Sequence, residues 1–336
     1  MQFTNKNSKS TFLMRLIGIP TICTATAHLE NKDVPRFLPT AKQNKIPLLF
    51  LKTVACNTKN HNIQHILSRY EEQHKNTLEL IAFTGNLLEK IGAHYTFFKT
   101  LKPFPYTPSD IDVLLWSDNN LKTVAKALKN HGCMPLEKNA YGLTMFNQKY
   151  KMNIDLTTQI AVSGLVYLDK ELLFDHVSRL EVYEKQIQTL KPSADLLAVA
   201  AHSIFKEQMY ALSDYYTFIM LLQHWKKAIK LAEKFRIKNA LDTVLEMTMA
   251  ITLMAFGPAT PLMEKFKEAG VANKTELPNE NFELPKKYHP TTLAIAFLKK
   301  ITEDPVSMKS LPFMARSVSN LAFYKKVLMH AIRQTY

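Results

Sequence analysis

Apolar and polar residues change period along this chain, and the changes outline its elements. Across Glu71–Ile91, Leu78, Ile81, Leu88 and Ile91 recur at helical spacing, and Gly92 follows where a helix can end. Residues 93–100 (AHYTFFKT) are rich in aromatic and β-forming residues and read as a strand. Pro103, Pro105 and Pro108 mark a loop over 101–108. Residues 110–116 (DIDVLLW) alternate as a half-buried strand does. Ser117 or Asp118 then caps a helix whose Leu121, Val124 and Leu128 line one face, with Gly132 closing it. Residues 133–138 and 143–147 read as a hairpin around 139–142. A further strand is predicted over 151–158, where Met152, Ile154 and Leu156 alternate with Asn153, Asp155 and Thr157.

From about Leu165 onward the pattern reads as helical. Ser193 is the expected cap of a helix through Leu196, Val199, Ala200 and Ile204. Helices are also expected over 214–235, 238–256, 290–301 and 317–333, with a break at 257–261 and a polar linker at 272–290. Tyr215, Tyr216 and Trp225 are expected in the core. Ahead of residue 71 the signals are weaker: a polar, frayed start over 1–10, prolines at 35, 39 and 47, and short helices over 47–55 and 65–70. The chain thus divides into a mainly helical extension (1–70), a core of helices and a small mixed sheet (71–165), and a helical region (166–336). The fold class is α+β.

Composition refines this picture. The chain has 336 residues and is 46% hydrophobic, enough for a sizeable core, and only 8 glycines occur, which favours helix. The 43 Lys and Arg outnumber the 29 Asp and Glu, a formal net charge of +14. That surplus suggests a polyanionic partner such as RNA, DNA or a nucleotide. The three cysteines, Cys23, Cys56 and Cys133, are widely spaced and form neither a zinc pair nor a disulfide framework, as in a cytoplasmic protein. No apolar run reaches the length of a membrane span. Residues 12–27 have the outline of a signal peptide, but Arg15 and Pro20 interrupt the apolar stretch.

The candidate chemistry lies in the strand at 110–116. Successive side chains on a strand alternate faces, so Asp110 and Asp112 share one, about 6–7 Å apart. Two such carboxylates repel each other unless a cation lies between them, and a hard divalent ion takes oxygen donors of this kind. Asp155 is a third acid, at the centre of the polar face of its own strand.

Helix, strand ending in Lys99-Thr100, ten further residues to Asp110, Asp-x-Asp, helix, hairpin and a later strand with Asp155 form an ordered set. Over about residues 75–160 it resembles the nucleotidyltransferase superfamily, which includes DNA polymerase β, CCA-adding enzymes and aminoglycoside nucleotidyltransferases. The resemblance implies that Asp110, Asp112 and Asp155 bind Mg²⁺ or Mn²⁺. It implies transfer of an NMP from an NTP to an acceptor hydroxyl, with release of pyrophosphate. Lys99, Thr100 and Ser109 become candidate nucleotide contacts. Lys99-Thr100 departs from the family's usual Gly-Ser: Thr100 still offers a hydroxyl to a phosphate, but Lys99 lacks glycine's close backbone approach.

In the helical half, Asp195, His202 and Lys206 fall on one helix face. Lys206 is a candidate phosphate contact, and His202 a candidate contact to the base or the acceptor. The stretch from Lys206-Glu207 to Ser213-Asp214-Tyr215 also resembles a lysine and aspartate of the superfamily's toxin-like branch. A solvated face with Ser213 or Asp214 as helix cap accounts for the same residues. The acceptor is open, with RNA or tRNA favoured by charge. A catalytically silent nucleotide- or RNA-binding protein on the same fold is the alternative.

Overall fold

The computed structural model describes residues 8–19, 33–56, 61–271 and 282–318. Its centre is a seven-stranded mixed sheet built from β1 (Tyr95–Phe97), β2 (Asp110–Leu115), β3 (Cys133–Lys138), β4 (Gly142–Asn147), β5 (Met152–Thr157), β8 (Val177–Val182) and β9 (Lys185–Leu190). The strand order is β3-β4-β5-β2-β1-β9-β8. β2 runs parallel to β5, and the register sets Asp112 beside Asp155. A small separate pair is formed by β6 (Ile160–Val162) and β7 (Leu165–Leu168).

Alternation along β2 and β5 divides the interior in two. Ile111, Val113, Leu115, Ile154 and Leu156 pack against α4 (His61–Lys90) and α5 (Asp118–Asn130). Leu114 and Phe98 face a larger core made by the remaining helices. Those helices are α1 (Lys9–Ile17), α2 (Val34–Gln43), α3 (Pro47–Cys56), α6 (Lys170–Leu173), α7 (Pro192–Ala201), α8 (Leu212–Met220), α9 (Trp225–Lys234), α10 (Lys238–Phe256), α11 (Leu262–Glu268), α12 (Pro290–Glu303) and α13 (Pro305–Val318). The acid-bearing face of β2 therefore looks toward the helical half, and any site on it forms between sheet and helices. Tyr215, Tyr216 and Trp225 are fully buried there, as expected.

Several elements differ from their sequence-based expectations. The helices expected at 65–70 and 71–91 are one 30-residue helix. Residues 165–190, expected to be helical, hold β7, β8 and β9, so the sheet continues past residue 165. The β8–β9 turn is made by Tyr183 and Glu184, both with positive φ (47° and 59°). Such a turn normally carries Asn-Gly or Asp-Gly. Without those residues it leaves no mark in the sequence. The helix expected over 214–235 is interrupted at residues 221–224 and forms α8 and α9. The cap of α7 falls at Lys191, with Pro192 in the first turn, rather than at Ser193.

Residues 9–19 and 33–56 share one core with the helical half. The Glu283 carboxylate accepts from the Lys9 and Ser10 amides (2.6 and 3.2 Å) at the start of α1, where free N–H groups favour an anion. Asn44 is buried and donates to Leu284 O (2.6 Å), while its Oδ1 accepts from the Leu212 amide (3.0 Å). That clamp holds the α2–α3 turn, with Lys42 and Lys45, against the start of α8. One short antiparallel pair, β10 (Met209–Tyr210) with β11 (Lys286–Lys287), completes the structure. Part of the expected linker, 282–290, is thus ordered and packed, while residues 272–281 and 319–336 lie outside the described residues. Of the segment with a signal-peptide outline, residues 12–17 belong to α1, with Phe12, Leu13, Met14 and Leu16 buried, and residues 20–27 lie outside the described residues. Among the described residues, no helix is long and apolar enough to cross a membrane.

Candidate active site

Asp110 and Asp112 leave β2 on the side opposite its core residues, and Asp155 joins them from β5. Burial pushes the Asp112 carboxyl up; the Lys99 charge counters this, and Asp110 adds to it. Asp155 is likewise pushed up by burial, countered by a hydrogen bond from Thr144 Oγ1 (2.8 Å), and raised further by Asp110. Asp110 accepts from Ser109 Oγ (3.2 Å). Asp110 thus raises the cost of charge on both Asp112 and Asp155, as a carboxylate does beside others on one face.

Among the described residues, Lys99 supplies the one cation in direct contact with these acids. Its Nζ lies 2.9 Å from Asp112 Oδ1, and both side chains are nearly buried, at 12% and 13% exposure. Its φ is 50°, the left-handed conformation that a glycine adopts without strain. A conformation suited to glycine is therefore taken here by a residue that carries a charge. The conformation is locked by Asp195, whose Oδ1 accepts the Lys99 amide at 2.7 Å. Asp195 sits in the first turn of α7 and is buried, so it is not part of a solvated face.

Thr100 does not present its hydroxyl to the cleft. Oγ1 accepts from the Asp112 amide (2.9 Å) and donates to Phe98 O (3.2 Å), with 4% of the residue exposed. Its place is to pin the strand-to-loop turn onto β2. Both hydrogen-bonding directions of the hydroxyl are thus used within the protein.

After α7 the chain makes one π-helical turn, His202–Glu207. Such turns are rare and redirect side chains locally. Here the turn sets His202 against Lys99 and leaves Lys206 exposed on the cleft. His202 Nδ1 lies 3.3 Å from Lys99 Nζ and 3.4 Å from Tyr167 Oη. Its Nε2 lies 3.1 Å from Glu207 Oε1. A lysine ammonium has only donors, so Nδ1 is assigned as the acceptor and Nε2 carries the proton. Burial and the Lys99 charge hold the imidazole well below its usual range, so it is neutral at physiological pH. Burial pushes Glu207 up, but the His202 hydrogen bond and the Lys45 charge (Nζ 3.4 Å away) outweigh it, and the carboxyl lies well below the ordinary range. Asp214 accepts from the Ala211 amide (3.1 Å) and so caps α8.

Two cavities meet at this centre, of about 480 Å³ and about 380 Å³, and both are lined by Lys99, Asp112 and Lys206. The larger also meets Asp110, Lys42, Lys45 and Lys102. Burial holds the Lys102 ammonium below the usual lysine range, and Asp214 and Asp195 counter this. The smaller runs past Asp155, Thr144 and Tyr141. Sequence reasoning missed Lys42, Lys45, Lys102 and Tyr167. No local motif marks them; the clamp by Asn44 and the packing of β7 bring them in.

Asp110 and Asp155 are hard oxygen donors with no ion-pair partner among the described residues, and that chemistry fits a divalent ion. Among the described residues, no three of His, Cys, Asp and Glu are already gathered closely enough to hold one. Asp112 has the Lys99 ammonium in that place instead.

With this geometry in hand, comparison with known proteins gives the class. Residues 107–252 match the model of a family described as uncharacterised nucleotidyltransferase. Over that stretch the chain is similar to nucleotidyltransferases, and the stretch includes most of the mixed sheet that bears these acids. The matched stretch contains Asp110, Asp112, Asp155, His202 and Lys206 and begins beyond Lys99. Among solved structures, one described as an antigenic nucleotidyltransferase-like protein from Paracoccidioides brasiliensis superposes with a TM-score of 0.35 at 8% identity. The alignment covers 58% of this chain and 92% of that one, a likeness too loose to bear on the assignment. No curated protein matches the chain by sequence.

Proposed function

We propose that this protein is a metal-dependent nucleotidyltransferase that moves an NMP from an NTP to an acceptor hydroxyl, with RNA or tRNA the favoured acceptor. The observation that carries the reading is the placing of Asp110 and Asp112 beside Asp155, on the wall of a cleft lined with lysines. These acids would hold a divalent ion, Mg²⁺ or Mn²⁺, which would supply charge to neutralise phosphate and to make the acceptor hydroxyl easier to deprotonate.

The chain's own groups account for the rest. Lys102 and Lys206 face the larger cavity, where a triphosphate gains from their charge. Asp155, its carboxyl raised by burial, is the group suited to receive the acceptor's proton. The acceptor oxygen bonds to the α-phosphorus, the bond to the bridging oxygen of the β-phosphate breaks, and pyrophosphate leaves with that electron pair. Neutral His202 keeps Lys99 in place instead of titrating itself.

A silent binding protein is the second reading, favoured by the ion pair that already balances Asp112. Pyrophosphate release separates the two. Each of the four NTPs is incubated with Mg²⁺ or Mn²⁺, with and without tRNA, for the wild type and the Asp110→Ala/Asp112→Ala double variant. The enzyme shows release that requires the metal and falls by at least about 10³-fold in the variant. The silent protein shows no release, and it binds RNA with a steep salt dependence that the acid substitutions leave unchanged.

A further inference from the structure

The feature that the nucleotidyltransferase reading does not absorb is the ammonium on Asp112. We infer that Lys99 is a tethered cation standing in for one divalent ion, so that this site takes a single metal ion. The inference rests on the metal-dependent reading above and specifies it.

Four observations support this. Lys99 Nζ is 2.9 Å from Asp112 Oδ1 in a nearly buried setting, a close charge-assisted contact and not a screened surface pair. The residue takes a left-handed conformation, φ 50°, that is unfavourable for any side chain with a Cβ. A lysine at such a position costs conformational energy that glycine would not, so its side chain must contribute something in return. Both ends are anchored: the amide by Asp195 at 2.7 Å, the ammonium by His202 Nδ1 at 3.3 Å. His202 is itself oriented by Glu207, at 3.1 Å. The result is a chain of contacts from Asp112 through Lys99 and His202 to Glu207, which holds the charge in one place.

The consequence is electrostatic. A second divalent ion on Asp112 would lie against a fixed ammonium and be repelled by it. Asp110 and Asp155 carry no such partner among the described residues and remain open to one ion. Lys99 also cannot leave with product as a free ion can, so one positive charge is permanent whatever the metal concentration.

The test counts Mn²⁺ ions bound to the full-length protein, by electron paramagnetic resonance of the free ion, with Mn²⁺ alone as probe. The wild type is expected to bind one. Lys99→Met, which keeps the bulk and removes the charge, is expected to bind two, and Lys99→Met/Asp112→Asn to return to one. Lys99→Gly, which fits the positive φ without strain, repeats the measurement should the Met variant fail to fold, as judged by circular dichroism. Two ions on the wild type, or one on both folded Lys99 variants, overturns the inference and leaves the nucleotidyltransferase reading standing. No ion on the wild type overturns both.

Discussion

Three carboxylates share one sheet face, and among the described residues only Asp112 has a cation within ion-pair distance. At the residue scale this stores instability at the site, since a carboxyl held above its unfolded value destabilises the fold whenever it is ionised. For Asp155 the sign is definite: the penalty is full above its raised value and fades as pH falls through it. Asp155→Asn keeps an acceptor for Thr144 and removes the charge. At neutral pH it should raise Tm by roughly 2 °C, while removing any gain in nucleotide binding from Mg²⁺. Melting curves taken as pH falls through that raised value toward the ordinary aspartate range should show the two proteins converging as the wild-type carboxyl takes up its proton. Glu207 acts with the opposite sign, its carboxyl lying below its unfolded value, so its contribution is present near neutrality and is lost in acid. The three acids were legible because a strand alternates and three polar positions fell between apolar ones. The states of Thr100, His202 and Asp195 were not, because each is decided by a partner many residues away.

At the scale of elements, close approach between α4 and the sheet positions the whole layer behind the acids. Gly85 lies within α4, and a Cβ there would meet Ile187 Cγ2 of β9 at 2.5 Å and Tyr95 Oη at 3.1 Å. In an open helix, Gly→Ala stabilises. Here Gly85→Ala should destabilise by about 1–3 kcal/mol through overpacking, seen as a lower urea midpoint with unchanged slope. A stabilising result would mean that helix and sheet move apart freely. Elements with a period of their own, such as α5 and the β3–β4 hairpin, were readable. The β8–β9 hairpin was not, since Tyr183 and Glu184 take positive φ without glycine or asparagine to announce it. The π-helical turn after α7 was equally silent, although it decides where His202 and Lys206 point.

For the molecule as a whole, the charge of +14 predicts how a polyanionic acceptor binds. If RNA is that acceptor, its affinity should fall roughly 10²-fold between about 50 and 200 mM salt, as released counterions require. Lys42→Glu/Lys206→Glu should weaken binding at low salt and flatten that slope, because both lysines line the larger cavity. Filter binding of tRNA across a salt series measures both. A flat dependence in the wild type would remove RNA from consideration and leave a small acceptor. The same scale shows why residues 9–19 and 33–56 were hard to read: their apolar residues pack into a core shared with the helical half. A short helix that buries its face against distant helices carries little periodic signal of its own.

The sequence by itself determined the acids, the strands that carry them, their order and the basic surplus. These depend on alternation, on spacing between neighbours and on composition, all local or additive quantities. Only the tertiary structure decided that Lys99 holds Asp112 from a glycine's conformation. It also decided that Asp195 fixes that conformation, that Thr100 turns inward, and that lysines from α2 and the turn after it reach the cleft. Those facts join residues tens to hundreds of positions apart, and a contact between distant residues has no period for a sequence to display.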